Sequence, residues 1–136
     1  MSTGNTFKAR LGMLTTTIAL LCLALVLSTA VAEEPELRGD PEKAAVAWDL
    51  IEEGALLIDV RSAGEVEHGS IEGALHIPHD ELDELRAAIG DDRSRSVVMY
   101  RGSGGRVGRV ITALEAEGYK GLYNATGYDA MVATQP

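Results

Sequence analysis

Ser96-Val97-Val98-Met99-Tyr100-Arg101-Gly102-Ser103-Gly104-Gly105-Arg106-Val107-Gly108 decides how the rest of this chain is read. Ser96 to Tyr100 is a short apolar run of the kind that forms a buried strand. A glycine-rich loop follows. From Arg106 the spacing predicts a helix, with Val107, Val110, Ile111 and Leu114 at i, i+3, i+4 and i+7. Strand, tight loop and helix together make an anion cradle in α/β proteins. The loop amides converge on one point, and the helix N-terminus adds roughly half a positive charge. Gly102, Gly104 and Gly105 are read as positions free to take φ > 0 and to let a ligand approach the backbone.

The same alternation extends to both sides of this stretch. Upstream, Asp40-Pro41-Glu42 starts a helix with Asp as N-cap and Pro at N1. Ala44, Ala47, Trp48 and Ile51 form its apolar stripe, and Gly54 stands at C′. Ala55 to Val60 is a continuous apolar run, which suits a strand covered on both faces. A short helical piece over 63–68 leads through a turn to a strand at Leu75-His76-Ile77. Asp80 to Ile89 reads as an amphipathic helix with Leu82, Leu85 and Ile89 inward. Downstream, a strand over 120–124 and a helical turn over 127–131 complete the pattern, and 33–39 offers a possible edge strand. Strands alternating with helices predict an α/β fold, with a central, mainly parallel sheet of about five strands and helices on both faces. Ligands in such sheets sit beyond the carboxyl ends of the strands, where the Arg101 loop falls.

Composition narrows the functional classes. Lys8 and Arg10 precede an uncharged 17-residue run, Leu11 to Leu27, and Ala30-Val31-Ala32 supplies a small-x-small cleavage pattern. Residues 1–32 are therefore read as a secretory signal peptide and 33–136 as the folded domain, in the periplasm or secreted. The alternative is an uncleaved N-terminal membrane anchor facing the periplasm, for which the run is at the short limit. Residues 33–136 hold 10 basic and 21 acidic side chains. That balance argues against nucleic acid as a partner, and against membrane contact beyond the N-terminal segment. Cys22 is the single cysteine of the chain. The domain thus forms no disulfide and carries no thiol.

Three motifs carry a family resemblance: Tyr100-Arg101-Gly102-Ser103-Gly104-Gly105-Arg106; Asp59-Val60-Arg61; and the segment from Glu65 through His68-Gly69-Ser70-Ile71-Glu72-Gly73-Ala74-Leu75-His76-Ile77-Pro78. Gly118-Tyr119 and Tyr123-Asn124-x-x-Gly127 extend them. Together they resemble the rhodanese family over about Leu37 to Met131. The family's loop commonly reads Tyr-Cys-Arg-Ser-Gly-x-Arg. Tyr100, Ser103, Gly104 and Arg106 match it, Ser70 replaces a usual histidine, and the catalytic cysteine falls on Arg101. The resemblance implies a sulfurtransferase scaffold, which moves sulfane sulfur from thiosulfate through a cysteine persulfide. Arginine stays protonated and neither attacks nor carries sulfur.

The expectation is therefore an exported rhodanese-like domain that binds without catalysis. Its partner would be a small anion or a protein, met through Arg101, Gly102, Ser103, Gly104, Gly105 and Arg106. The alternative is a working thiosulfate or sulfane-sulfur transferase. No catalytic residue, metal or cofactor is assigned. Ser103 is an unactivated hydroxyl with no histidine close in sequence to serve as base. Arg101 has two readings, an anion ligand or a side chain swung into solvent. Arg106 either frames the same pocket or pairs with an acid. Arg61 and Glu65 are expected to pair across their turn. His68, His76 and His79 are read as solvated or hydrogen-bonded rather than as metal ligands, since their spacing fits no tight ligand set.

Overall fold

Four strands build one all-parallel sheet: β1 (Leu56–Asp59), β2 (Leu75–His76), β3 (Val97–Arg101) and β4 (Leu122–Gly127), in the order β2-β1-β3-β4. The computed structural model describes residues 37–102 and 105–136. The expected targeting segment 1–32 lies outside them, as do Ser103 and Gly104. Five helices accompany the strands: α1 (Pro41–Glu52), α2 (Ala63–Val66), α3 (Leu82–Ile89), α4 (Gly105–Ala116) and α5 (Tyr128–Ala133).

Alternation along the strands sorts the core into two layers. Ile58, Val97 and Met99 point to one side, where Leu85 and Ile89 of α3 and Val107, Val110, Ile111 and Leu114 of α4 cover them. Leu57, Val98, Tyr100 and Ala125 point to the other, against Ala44 and Ala47 of α1 and Ala130 and Met131 of α5. Every strand side chain from Val97 to Arg101 is buried, as a doubly covered parallel strand requires. Both faces thus carry helices, as the sequence predicts. Trp48 is half-buried beside the second layer, and its Nε1–H donates to the Met131 carbonyl at 3.0 Å.

The strand count is four rather than about five. Among the described residues, 37–40 form no strand. Gly39 takes φ +115° and packs against Gly127, which turns the backbone out of an extended path. Asp40 then caps α1, accepting from the Glu42 and Lys43 amides at 3.0 and 3.3 Å. The chain before α1 is held by the end of β4 and the start of α5 instead of a ladder. The Arg38 carbonyl accepts from Ala130 N, and the Asp40 amide donates to Thr126 Oγ1 at 2.8 Å.

β4 also runs to Gly127, past the 120–124 expected of it. Its register slips by one residue between Met99, opposite Asn124, and Arg101, opposite Gly127. The extra residue is taken up at Thr126, a β-branched side chain held at φ +67°. Asn124 Oδ1 accepts from the Thr126 amide at 2.9 Å and closes the turn. This bulge sets where α5 begins, and so where Tyr128 stands.

Candidate functional site

All four strands point their carboxyl ends the same way, so the ends of β1 and β3 share one rim of the sheet. Arg101 is the last residue of β3 and is only 7 % exposed. Its expected alternative, a side chain swung into solvent, is therefore corrected: strand register draws it into the ladder. Burial lowers its pKa from the usual guanidinium value, and the nearby Arg106 lowers it further, while Glu65 acts in the opposite sense. Arg106 sits exposed in the first turn of α4. Among the described residues it makes no ion pair with an acid, contrary to the structural alternative considered for it.

The glycines act differently from their expectation. Gly102 does not take a positive φ, and Gly105 is the first residue of α4. Gly102 leaves room for Glu65: a Cβ there would meet Oε1, the movable end of that side chain, at 2.8 Å. Nothing crowds Gly105. Glu65 thus leans its carboxylate over the first residue of the loop. Its other oxygen accepts from the Ser62 amide at 3.1 Å and from Ser62 Oγ at 2.8 Å. These hydrogen bonds hold the Glu65 pKa below the usual carboxylate value.

The expected Arg61–Glu65 ion pair is not formed. Arg61 reaches Glu65 only at its backbone carbonyl, with Nη1 at 3.4 Å. Its partner is Asp59, fully buried at the end of β1. Nε lies 3.0 Å from both carboxylate oxygens and Nη2 lies 2.7 Å from Oδ2. Asp59 and Arg61 are two residues apart in extended chain and share a face, whereas Glu65 is turned away by its own cap. Arg61 also donates from Nη2 to the Gly69 carbonyl at 2.6 Å. Its Cζ lies 3.9 Å from the Tyr128 ring centroid and 5.7 Å from that of Tyr100. Burial alone would lower the Arg61 pKa, but the Asp59 bonds outweigh it and the net shift is upward. Tyr100 Oη donates to Asp59 Oδ2 at 2.8 Å and accepts from the Ile71 amide at 3.3 Å. Burial first, and then that bond to Asp59, push the Tyr100 pKa well above the usual phenol value.

Beside this nest lies a cavity of about 370 Å³, lined by Arg38, Arg61, Gly64, Glu65, His68, Gly102, Tyr128 and Asp129. It mixes two arginines with two acids. Sequence reasoning missed Arg38, Tyr128 and Asp129 here, because only the β4 bulge and the turn at Gly39 bring them to the rim. The histidines do not converge. His68 Nδ1 bonds the Gly64 carbonyl at 2.8 Å, and His76 Nε2 bonds the Arg61 carbonyl at 2.9 Å. His79 stands apart, and no group of side chains among the described residues is arranged to hold a metal ion.

Comparison with known proteins identifies the fold and the family. The family model described as a rhodanese-like domain matches residues 43–133. The thiosulfate sulfurtransferase GlpE of Actinobacillus succinogenes is 31 % identical over 82 residues, which is 60 % of this chain and 72 % of that protein. The GlpE protein of Haemophilus influenzae is 27 % identical over 81 residues, covering 60 % of this chain and 75 % of that one. Among solved structures, a human single-domain sulfurtransferase superposes with a TM-score of 0.55 at 28 % identity, over 65 % of this chain and 91 % of its own. The Alr3790 protein of Anabaena sp. superposes with a TM-score of 0.58 at 22 % identity, over 68 % of this chain and 74 % of its own, a likeness of fold.

Proposed function

The chain belongs to the rhodanese-like domain family, and from that premise we propose that it binds a small oxyanion at the Arg101–Arg106 loop without transferring sulfur. The observation that carries this reading is the burial of Arg101 at the end of β3, where a second guanidinium, Arg106, acts on it. A buried cation close to another cation calls for more negative charge than Glu65 supplies, since that carboxylate is also held by Ser62. A tetrahedral oxyanion accepts from two guanidinium forks and from the amides opening α4. Sulfate, thiosulfate and phosphate share that chemistry.

Sulfur transfer in the named relatives' manner requires a carrier. The one cysteine of the chain, Cys22, lies in the segment we read as a cleaved signal peptide. Position 101, where the family's loop has its nucleophile, holds a cation that cannot attack. In this reading the domain keeps the scaffold of a sulfurtransferase and uses it to hold an anion outside the cytoplasm. An intact-mass measurement of protein recovered from the expressing cells tests the export part, with a chain beginning at Glu33 as the expected result.

The deciding experiment measures thiosulfate-to-cyanide sulfur transfer and sulfate binding in parallel, on the native protein and on Arg101→Cys and Arg101→Ala. The native protein is expected to bind sulfate saturably and to be silent in transfer. Arg101→Ala is expected to lose sulfate binding, and Arg101→Cys to gain transfer. Turnover of thiosulfate by the native protein would overturn the reading in favour of the sulfurtransferase alternative. Absence of saturable sulfate, thiosulfate or phosphate binding would overturn it outright.

A further inference from the structure

A second cavity, of about 300 Å³, lies between α3 and α4, lined by His79, Leu82, Arg106, Arg109, Val110 and Ala113. Its volume is at the small end of the range for small-molecule sites. The α4 wall follows from helix spacing. Arg106, Arg109, Val110 and Ala113 stand at i, i+3, i+4 and i+7 and share one face. Leu82, half-buried at the start of α3, faces them, and His79 closes one end just before that helix.

We propose that this cavity binds an organic monoanion, a carboxylate on a short apolar body. The inference goes beyond the loop reading and shares only Arg106 with it. Three observations argue for that occupant. First, no acid lines the cavity, although the chain as a whole has net charge −9. Second, neither of its arginines is paired with an acid among the described residues, and Arg109 takes no part in the loop reading. Arg61, by contrast, is bound to Asp59 and Arg86 to Asp83 and Glu117. Third, the floor is apolar. Val110 and Leu82 offer surface to a hydrocarbon body, which sulfate or phosphate would leave unmet. His79 adds a buried Nδ1 without a hydrogen-bond partner, 4.0 Å from the exposed Asp80 carboxylate. The first cavity, with Glu65 and Asp129 in its lining, has no comparable preference.

The test is a methyl NMR titration of the full chain, labelled at Leu, Val and Ala, with hexanoate as the probe. Acetate and hexylammonium are the controls, since one lacks the apolar body and the other the negative charge. Hexanoate at millimolar concentration is expected to shift the Leu82, Val110 and Ala113 methyls saturably, and the two controls are not. Arg109→Gln is expected to weaken hexanoate about tenfold, the scale of one charge-assisted contact, and Arg109→Lys to weaken it less. Val98 and Ala125 methyls, in the opposite core layer, report whether each variant keeps its fold. Should Arg109→Gln disturb them, the choice between hexanoate and hexylammonium by the native protein decides alone. No saturable shift with hexanoate, equal response to hexylammonium, or unchanged affinity in a folded Arg109→Gln protein would each overturn the proposal. Sulfate binding at the loop is measured separately, through the Arg101→Ala comparison given above, so failure here is separable from failure of the loop reading.

Discussion

Arg61 holds the fully buried Asp59 from two positions along the chain, with Nη2 2.7 Å from Oδ2 and both groups under 5 % exposed. An ion pair so enclosed adds little net stability when complete, yet it is expensive to break, because the surviving charge stays buried. Asp59→Ala is therefore expected to lower unfolding free energy by about 3–5 kcal/mol, a large share of what a domain of this size has. Asp59→Leu combined with Arg61→Met is expected to recover most of that loss. Urea unfolding of the single and double variants checks both; a double variant as unstable as Asp59→Ala would refute the account.

Tyr100 couples that pair to the second core layer through its hydroxyl, and its raised pKa fixes a pH dependence. The unfolded phenol titrates near its ordinary 10.0, the folded one well above it. Stability from this group is fully present below pH 10 and is lost as pH rises from there toward the folded value. Tyr100→Phe is expected to cost about 1–3 kcal/mol at neutral pH, by orphaning the Ile71 amide and one lone pair of Asp59. It is also expected to flatten the alkaline fall in stability. Denaturant midpoints of both proteins between neutral and strongly alkaline pH measure each effect.

Glu65 gives the opposite sign on the acid side. Its folded pKa is depressed, so its contribution is complete above the unfolded value of 4.5 and fades as pH falls through the folded one. Gly102→Ala would push a methyl against Oε1, the mobile end of a side chain that can swing away and release Ser62. The expected outcome is a modest loss of about 1 kcal/mol, the scale of a lost helix cap, with the Glu65 titration moving up toward 4.5. Carboxyl NMR of the two proteins follows that titration directly. An unmoved Glu65 midpoint in the variant would show that Glu65 does not lean on the loop.

Gly127 is a sharper case, because its neighbour is backbone. A Cβ there would collide with the Arg38 carbonyl and lie 3.0 Å from Gly39 Cα. Gly127→Ala is expected to cost about 2 kcal/mol or more, since neither strand end nor helix start can give way. Gly64→Ala, where nothing lies within 4 Å and the residue is helical, is expected to be neutral or to stabilise by about 0.5–1 kcal/mol. Thermal midpoints of the pair rank the two glycines; equal shifts would contradict the packing described.

The sequence is most informative where hydrophobic spacing is strong. The α4 stripe of Val107, Val110, Ile111 and Leu114 is buried throughout, and the apolar run at β1 is a doubly covered strand, as its composition predicts. What escaped prediction depends on partners distant in the chain. Charge alone leaves Arg101 undecided between solvent and site, and only its register opposite Gly127 buries it. Spacing across a turn favours Arg61 with Glu65, but β1 ends by presenting Asp59 on the same face, next to Tyr100 from β3. Thr126 at positive φ has no sequence signature, since β-branched residues avoid that region, yet its bulge sets Tyr128 over Arg61.

An all-parallel sheet in the order β2-β1-β3-β4 contains no hairpin. No strand can zip onto its neighbour through a tight turn, because every pairing waits for a helical crossover to close. The Asp59–Tyr100 bond alone joins residues 41 apart. The helices can form locally but the sheet cannot, since each ladder must first meet the closure entropy of a crossover. Such a chain is expected to fold more slowly than a helical bundle, whose contacts are mostly local. Until then its apolar strand segments stay accessible, a window in which chaperones can bind them.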